Sequence, residues 1–437
     1  MLRQCLCVLL IVIFLPLEPP IASGNPSEWH AFRGADGNGK SPDTGLLTQW
    51  SDNGPRLLWQ ANFIGYGYSG VSVSGDRIYI SGNVTRNGEA LTMVFCLDKE
   101  GNVIWERNNG PAHADSRRYP GTRGTPTIDG DFVYDVSPFG QITCFNAQTG
   151  EKIWSRNNIW NRTLGEEEVI AEYNAPMPHW FLGHSVIVDG DYVITPVGGP
   201  RTMGIAMNKR TGETVWEAAP AADGAPTTYT TPYLFEFEGT RVVTVMSNVT
   251  VEGLDPATGR TLFSIPWRNS RSVHCTMPIY HNGHLFLSTG YDGGTARLFR
   301  LAKNANGTIT ATEMWVSPRF NNHHGGVVLV GDHVYGTNHD GFWCSINFMT
   351  GEIGYTFRDG TAGKGSVHYA DGLLYGLTER DRTVLLIKPE PTEFVLVSSF
   401  ALPNEVAGPS WAHPVVIGGR MYLRHGQYLY CYDVQAE

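Results

Sequence analysis

Two glycine-rich segments near the start of the chain have the spacing of phosphate-binding loops. Residues 34–41 (GADGNGKS) match the nucleotide phosphate loop, and residues 65–70 (GYGYSG) match the dinucleotide-binding fingerprint. Both kinds of loop require a following helix whose N-terminus faces the phosphates. Pro42 follows the first segment at once, and the second leads into a strand pattern. We therefore expect neither segment to bind a nucleotide.

Two adjacent histidines, His323 and His324, are the next candidates for chemistry, because imidazole binds metals and transfers protons. Neighbouring side chains on a strand point to opposite faces, so we expect this pair not to hold one metal ion together. Asp292 and Asp340 lie on predicted hairpins and offer the oxygen ligands that calcium prefers. Because carboxylates are common on loops, they are weak candidates, and the sequence predicts no metal site.

The cysteines give no sign of redox or zinc chemistry. Beyond residue 24 the chain has five cysteines, with neither CxxC spacing nor an adjacent pair. Four of them occupy the same position of a repeated strand, which is typical of small buried residues: Cys96, Cys144, Cys344 and Cys431.

The elements that must position any site come from a repeated turn that ends on an aromatic residue. The turn is complete at residues 146–154 (NAQTGEKIW) and 208–216 (NKRTGETVW), with relatives around Gly101, Gly259 and Gly351. Asn or Asp bonds its own backbone, glycine takes the positive φ, and the aromatic residue covers the next repeat. A strand pattern broken by Gly-Asp or a relative precedes each copy. Each repeat therefore predicts four antiparallel strands, which make one propeller blade.

Seven outer-strand aromatic residues mark blade ends at the spacing expected of a propeller: Trp105, Trp154, Trp216, Phe263, Trp315, Tyr355 and Phe400. Residues 410–434 supply only three more strands, whereas residues 55–63 carry a single strand with Trp59 at the marker position. If this strand completes the last blade, the chain is an all-β, eight-bladed β-propeller of four-stranded antiparallel blades. Closure removes the sheet edges that invite pairing with other chains, so we expect a monomer. Residues 157–182 are an insertion between the second and third blades.

The N-terminus has the pattern of an export signal, with a positive residue, the apolar run 5–15 and small residues near position 24. The apolar run is too short to span a bilayer. We predict a signal peptide at residues 1–24, a lead-in segment at 25–54 and one propeller domain at 55–437, in a periplasmic or secreted protein. The formal charge of -10 and the absence of a Lys/Arg cluster argue against nucleic acid as the main partner.

Function in a propeller usually lies where the inner strands begin, because these segments converge on the mouth of the central channel. Counting seven residues back from each Gly-Asp turn, and aligning the other blades more loosely, gives one ring of residues: Tyr68, Arg123, Gly183, Tyr229, His274, His324, Lys364 and Trp411. By this register His324 faces the channel and His323 packs between blades. Aromatic rings, histidines and two cations suit a planar, polar or anionic ligand. Channel rims are also polar because they are wet, so composition alone does not establish a site.

The repeats resemble those of the pyrroloquinoline-quinone-like (PQQ-like) β-propeller family, whose blades carry an Ala-x-Asp-x-x-Thr-Gly-x-x-x-Trp-like motif. Residues 32–34 (FRG), 322–326 (NHHGG) and 363–367 (GKGSV) are similar to a secreted bacterial subgroup of single-domain propellers. Asn322 of the second segment and Trp180 of the insertion join the candidate channel-mouth residues. The family includes quinone-dependent dehydrogenases and also scaffolds in envelope-protein assembly, so the resemblance implies a fold rather than an activity.

Our leading hypothesis is an exported protein that binds a ligand or partner at the channel mouth. The ligand would be a small polar molecule or a carbohydrate, and the partner an envelope protein. A different hypothesis is a carbohydrate-active enzyme in which His324 and Tyr229 transfer protons.

The resemblance implies one more alternative, a PQQ-dependent alcohol or sugar dehydrogenase with calcium. Trp411 or Trp180 would stack on the quinone, and Arg123 or Lys364 would polarise a quinone oxygen. Asp340 would act as a base or a cation ligand. The sequence lacks the adjacent cysteine pair that many of these enzymes place over the quinone.

Overall fold

The computed structural model describes residues 28–113, 119–164 and 167–436. The predicted signal peptide at residues 1–24 lies outside the described residues. The described chain forms eight four-stranded antiparallel sheets, one of which gains a fifth strand from the lead-in segment. The predicted eight-bladed propeller is therefore confirmed. No helix in the described part of the chain is long and apolar enough to cross a membrane.

Two short strands precede the first blade, β1 (Glu28–Trp29) and β2 (Arg56–Ala61). The strands of blades 1 and 2 follow in chain order: β3 (Ser72–Ser74), β4 (Arg77–Arg86), β5 (Glu89–Asp98), β6 (Val103–Pro111), β7 (Thr127–Asp129), β8 (Phe132–Val136), β9 (Ile142–Asn146) and β10 (Lys152–Arg156). The insertion contains a two-stranded sheet of β11 (Arg162–Leu164) and β12 (Glu167–Val169). Blades 3 and 4 comprise β13 (Ile187–Asp189), β14 (Tyr192–Pro196), β15 (Gly204–Asn208), β16 (Thr214–Glu217), β17 (Tyr233–Phe237), β18 (Thr240–Met246), β19 (Thr250–Leu254) and β20 (Thr261–Pro266).

Between blades 3 and 4 lies one turn of 3-10 helix, Ala222–Gly224. Blades 5 and 6 comprise β21 (Ile279–His281), β22 (His284–Ser288), β23 (Ala296–Lys303), β24 (Ile309–Ser317), β25 (Val327–Val330), β26 (His333–Thr337), β27 (Trp343–Asn347) and β28 (Ile353–Phe357). Blade 7 comprises β29 (Gly365–Ala370), β30 (Leu373–Thr378), β31 (Thr383–Lys388) and β32 (Val395–Ala401). The last three strands are β33 (Val415–Ile417), β34 (Arg420–His425) and β35 (Tyr428–Asp433).

The N-terminal strand closes the ring. Strand β2 pairs antiparallel with β35, placing Arg56 opposite Asp433 and Ala61 opposite Leu429, and thereby completes blade 8. Trp59 reaches the neighbouring blade, where its indole N–H donates to the Lys99 carbonyl at 2.8 Å. The predicted closure by residues near 55–63 is therefore correct.

The repeated turn couples each blade to the one before it. In blade 2 the Asn146 side chain accepts the backbone N–H groups of residues 148 and 149, and Gly150 takes a φ of 69°. A Cβ atom on Gly150 would lie 2.6 Å from the indole of Trp105 in blade 1. That indole donates its N–H to the Ala147 carbonyl at 3.0 Å. Glycine is required at this position for two reasons: its φ is positive, and the tryptophan ring lies directly against it.

The lead-in segment crosses the end of the channel away from the inner-strand starts. The His30 carbonyl accepts the N–H of Ile128 in blade 2 at 2.8 Å, and the N–H of Ser41 donates to the Tyr369 carbonyl in blade 7 at 2.8 Å. Asp43 accepts the N–H of Gly419 in blade 8 at 2.8 Å. These contacts connect residues 30–43 to three blades. The segment therefore closes this end of the channel.

A pair of glycine variants tests the coupling between blades. Gly212 and Gly190 both have positive φ, but a Cβ atom would meet the Trp154 ring at 2.7 Å only on Gly212, while Gly190 has open space around it. We expect Gly212→Ala to lower the free energy of unfolding by about 1–3 kcal/mol more than Gly190→Ala, the cost typical of overpacking. Denaturant titration of both proteins measures this difference. Equal losses would show that the tryptophan contact does not couple the blades.

Deleting residues 55–63 tests the closure. Because the deletion opens blade 8, we expect a fall in melting temperature much larger than the 2–4 °C that about 1 kcal/mol represents in a large domain. Shortening the exposed β4–β5 hairpin at residues 86–89 is the control. A deletion variant that melts cooperatively within a few degrees of the full chain would contradict the closure.

Candidate functional site

The segments that lead into the inner strands surround a cavity of about 390 Å³ at the channel mouth. Of the nine predicted channel-mouth residues that carry a side chain, seven line it: Tyr68, Arg123, Trp180, Tyr229, His324, Lys364 and Trp411. Gly183 of the predicted ring lines it too. The eightfold repeat explains this convergence, because equivalent positions of successive blades lie on one ring around the channel. Trp180 comes from the insertion, which therefore forms part of the cavity wall.

The two other predicted residues, His274 and Asn322, lie in the wall behind the cavity and are fully buried. His274 Nδ1 is 2.8 Å from the Thr289 hydroxyl. Asn322 accepts the Thr276 hydroxyl at 2.7 Å and donates to the Thr337 carbonyl at 2.7 Å, which joins blades 5 and 6. Their contacts are those of structural residues, and Cys275, one position after His274, lines the cavity instead.

Both members of the histidine pair line the cavity, with ring centroids 5.0 Å apart. The expectation that His323 packs between blades is wrong. The alternation of side chains applies within a strand, whereas residues 321–324 form a loop before β25.

Several cavity residues lie outside the predicted ring. Tyr291, His339 and Glu379 come from hairpins between the second and third strands of blades 5, 6 and 7. Tyr119 comes from the connection between blades 1 and 2. The signal that could have identified the hairpin residues is their position directly after the second strand of a blade.

Glu379 is the centre of a polar network on one side of the cavity. It accepts the indole N–H of Trp411 at 2.9 Å, and its carboxylate lies 3.6 Å from His324 Nε2 and 3.7 Å from Lys364 Nζ. The Lys364 ammonium also donates to His323 Nδ1 at 2.8 Å. Because this nitrogen accepts, His323 carries its proton on Nε2. The Nδ1 atom of His324 is buried and has no hydrogen-bond partner among the described residues.

The charge states follow from burial and from this network. Burial favours the neutral form of Glu379, but the contacts with His324, Lys364 and Trp411 outweigh burial and hold the pKa of Glu379 well below its usual range. Burial lowers the pKa of His324, and burial together with the neighbouring positive charges lowers that of His323. At neutral pH the site therefore has a charged carboxylate and two neutral imidazoles.

Aromatic rings continue the cavity wall from Trp411. The ring of Trp411 lies 4.8 Å from that of Tyr68 and 4.9 Å from that of Tyr119, and Tyr119 lies 5.9 Å from Trp180. The Arg123 guanidinium is 5.6 Å from the centroid of the Tyr68 ring. These rings offer apolar faces with a cation at their edge.

The lead-in segment forms the floor of the cavity. Phe32 lines it and contacts His413 edge-on at 5.0 Å. The buried Arg33 donates to His413 Nδ1 at 3.2 Å and to the Val327 carbonyl. His413 in turn donates from Nε2 to the His324 carbonyl at 2.9 Å. The channel is thus a pocket with one open end.

Four bulky residues around the pocket have left-handed backbones: Arg33, Tyr119, Phe181 and Tyr291, with φ between 61° and 66° for three of them and 52° for Tyr119. Such conformations cost of order 1–3 kcal/mol each and cluster at functional sites. The surrounding packing must hold these four backbones in place.

The donor set does not fit a quinone held by calcium. No three His, Cys, Asp or Glu side chains within residues 28–113, 119–164 and 167–436 are grouped so that they could hold a metal ion. Glu379 is the one carboxylate that the described residues contribute to the cavity wall, and it is already paired with a lysine. Asp292 and Asp340 do not line the cavity. Calcium is bound by several oxygen ligands, in which carboxylates are prominent, and the described wall offers one carboxylate.

A model of the family described as outer membrane protein assembly factor BamB matches residues 43–159 and 91–356 of the chain. Together these matches span well over half of the sequence. No curated protein matches the sequence significantly.

Solved structures with this fold include proteins of different activities. BamB from Moraxella catarrhalis has a TM-score of 0.59 at 14% identity, and the match covers 87% of this chain and 98% of that one. The quinohemoprotein alcohol dehydrogenase from Comamonas testosteroni has a TM-score of 0.60 at 11% identity, with coverages of 95% and 82%. Quinohemoprotein alcohol dehydrogenase ADHIIG from Pseudomonas putida HK5 has 0.58 at 12% identity, with coverages of 94% and 81%. Identities this low establish a shared fold and leave the activity open.

The pH dependence of stability tests the network around Glu379, whose side chain is 16% exposed. Because folding lowers the pKa of Glu379, its stabilisation is complete above the unfolded-state value of about 4.3 and is lost as the pH falls. We expect Glu379→Gln to unfold about 2 kcal/mol more easily than the native protein at pH 7. The difference should shrink below about pH 4. Thermal unfolding across pH, with the exposed Glu151→Gln as control, measures it, and a pH-independent difference would contradict the assignment.

Proposed function

We propose that this chain, which belongs to the PQQ-like β-propeller family, binds a small anionic ligand. The binding site is the pocket at the channel mouth, which is open at one end. Export to the periplasm or beyond is part of this proposal, because the first 24 residues have the pattern of a signal peptide. Family membership supplies the scaffold, and the side chains of the pocket supply the argument for the ligand.

The observation that carries the proposal is the charge of the pocket. Arg123 and Lys364 line it, and Glu379 is the only carboxylate that the described residues add. The described residues thus place two cations and one carboxylate on the pocket wall, within a chain whose formal charge is -10. Arginine and lysine pair with carboxylate, sulfate and phosphate groups, so this set of side chains favours an anionic ligand.

The neutral groups of the pocket support the same ligand class. His323 presents an Nε2–H donor, since Lys364 occupies its other nitrogen. The rings of Tyr68, Tyr119 and Trp411 provide flat apolar faces in the same pocket. A volume of about 390 Å³ is within the range of pockets for small molecules. An anionic group attached to a flat ring matches this combination of donors and aromatic faces.

A quinone-dependent dehydrogenase is the less favoured alternative. The aromatic wall and the two cations suit a planar polycarboxylate, but the oxygen ligands for its calcium ion are absent from the described pocket. No step of a redox reaction is therefore assigned to these residues.

Titration with small anions tests the proposal. D-Galacturonate, citrate and pyrroloquinoline quinone, the last with and without calcium, are added to the mature protein, and neutral galactose is the control ligand. A ligand that binds only the native state raises the melting temperature. We expect at least one anion to do so, and neutral galactose to have no effect at the same concentration. The absence of any shift with all three anions at saturating concentrations would disprove the proposal.

Charge-removing variants identify the pocket as the site. We expect Arg123→Gln and Lys364→Met each to weaken the bound anion by at least about tenfold, equivalent to 1.4 kcal/mol. Arg210→Gln and Lys152→Met, on exposed outer turns and strands, remove the same charges elsewhere and serve as matched controls. Calorimetric titration measures the affinities. If the pocket variants bind as tightly as the controls, the anion binds at another place.

A further inference from the structure

A second recess adjoins the pocket. Its volume is about 490 Å³, and four residues line both spaces: Trp180, Tyr229, Val273 and Tyr291. The backbone N–H of Trp180 donates to the Tyr229 hydroxyl at 3.0 Å, which fixes part of this shared wall. A ligand in the pocket can therefore extend past Trp180 without leaving the protein surface.

The recess has its own cation. Arg271 lines it, and this arginine forms no salt bridge with any carboxylate of the described chain. Its positive charge acts on Tyr291, whose ring belongs to the wall shared with the pocket. In contrast, Arg268 of the same loop lies 3.5 Å from Asp223. Arg271 is thus available to pair with a negative group of a ligand.

Aromatic rings connect the two spaces. Trp180 belongs to both, Tyr119 lies 5.9 Å from it, and Trp411 lies 4.9 Å from Tyr119. This row of rings runs from the recess to the centre of the pocket. Sugar rings combine an apolar C–H face, which packs on such surfaces, with hydroxyl groups at the edge.

We propose that the pocket and the recess together bind a chain of acidic sugar units, with one unit in the pocket and the next beyond Trp180, its anionic group at Arg271. The first unit rests on the function proposed above. Carboxylated and sulfated sugars share this chemistry, since either group pairs with an arginine. The recess is bounded by connecting loops at residues 178–180, 226–229 and 271–273 rather than by an open strand edge, so it lacks the means by which extended peptides are commonly held.

Oligomers of increasing length test this inference. Galacturonate of one, two and three units, sulfated galactose oligomers and neutral galactose oligomers of the same lengths are titrated by calorimetry. We expect affinity for at least one acidic series to rise by about tenfold or more from one unit to two. Arg271→Ala should remove most of this gain and leave the affinity for one unit unchanged. Arg268→Ala, on the same loop, is the matched control and should bind every oligomer as the native protein does.

The outcomes separate the inference from the proposed function. If a single acidic unit binds but longer oligomers bind no more tightly, the second site is wrong and the pocket remains an anion site. If neutral oligomers bind as tightly as acidic ones, the role of Arg271 is wrong. If citrate or the quinone binds and no sugar does, the ligand class is wrong. If no anion binds at all, both proposals fail.

Discussion

The structure depends on a contact between a tryptophan of one blade and a left-handed glycine of the next. It recurs at five blade junctions, with the ring against Gly101, Gly150, Gly212, Gly259 or Gly351. At each of these the indole also donates to a carbonyl of the same turn. One small turn therefore sets both the distance and the angle between neighbouring blades. A ring of eight blades closes only if each junction keeps that geometry, and the channel mouth exists only because the ring closes.

The pocket is built on this rigid ring but is shaped by chain outside it. The lead-in segment supplies Phe32 as the floor, the insertion supplies Trp180, and the connection after blade 1 supplies Tyr119. A propeller without additional segments has a channel that is open at both ends. Here the lead-in segment closes one end, and the channel becomes a pocket. The shared fold of a BamB protein and of alcohol dehydrogenases is consistent with this division, because loops and insertions determine what a propeller binds.

Charged and neutral side chains are arranged in a definite pattern on the pocket wall. Glu379 contacts Trp411, His324 and Lys364, and the Arg123 guanidinium lies over the Tyr68 ring. The histidines stay neutral because burial disfavours their charged forms. The described residues thus place two cations, one carboxylate and neutral imidazoles on the cavity wall, and this composition supports the proposed anion site.

The sequence by itself determined the eight blades, their closure through Trp59 and seven channel-mouth residues, because a repeat places equivalent positions on one ring. It did not determine which residues join them from loops. Tyr119, Tyr291 and Glu379 reach the pocket from connections of differing length. In blade 5 the predicted position is wrong by one residue, because His274 is buried in the wall and Cys275 lines the cavity. His323 lines the cavity because residues 321–324 form a loop rather than a strand. Local patterns specify strands and tight turns through short-range sterics and hydrogen bonds, whereas the path of a loop depends on contacts with residues far away in the chain, which only the tertiary structure brings together.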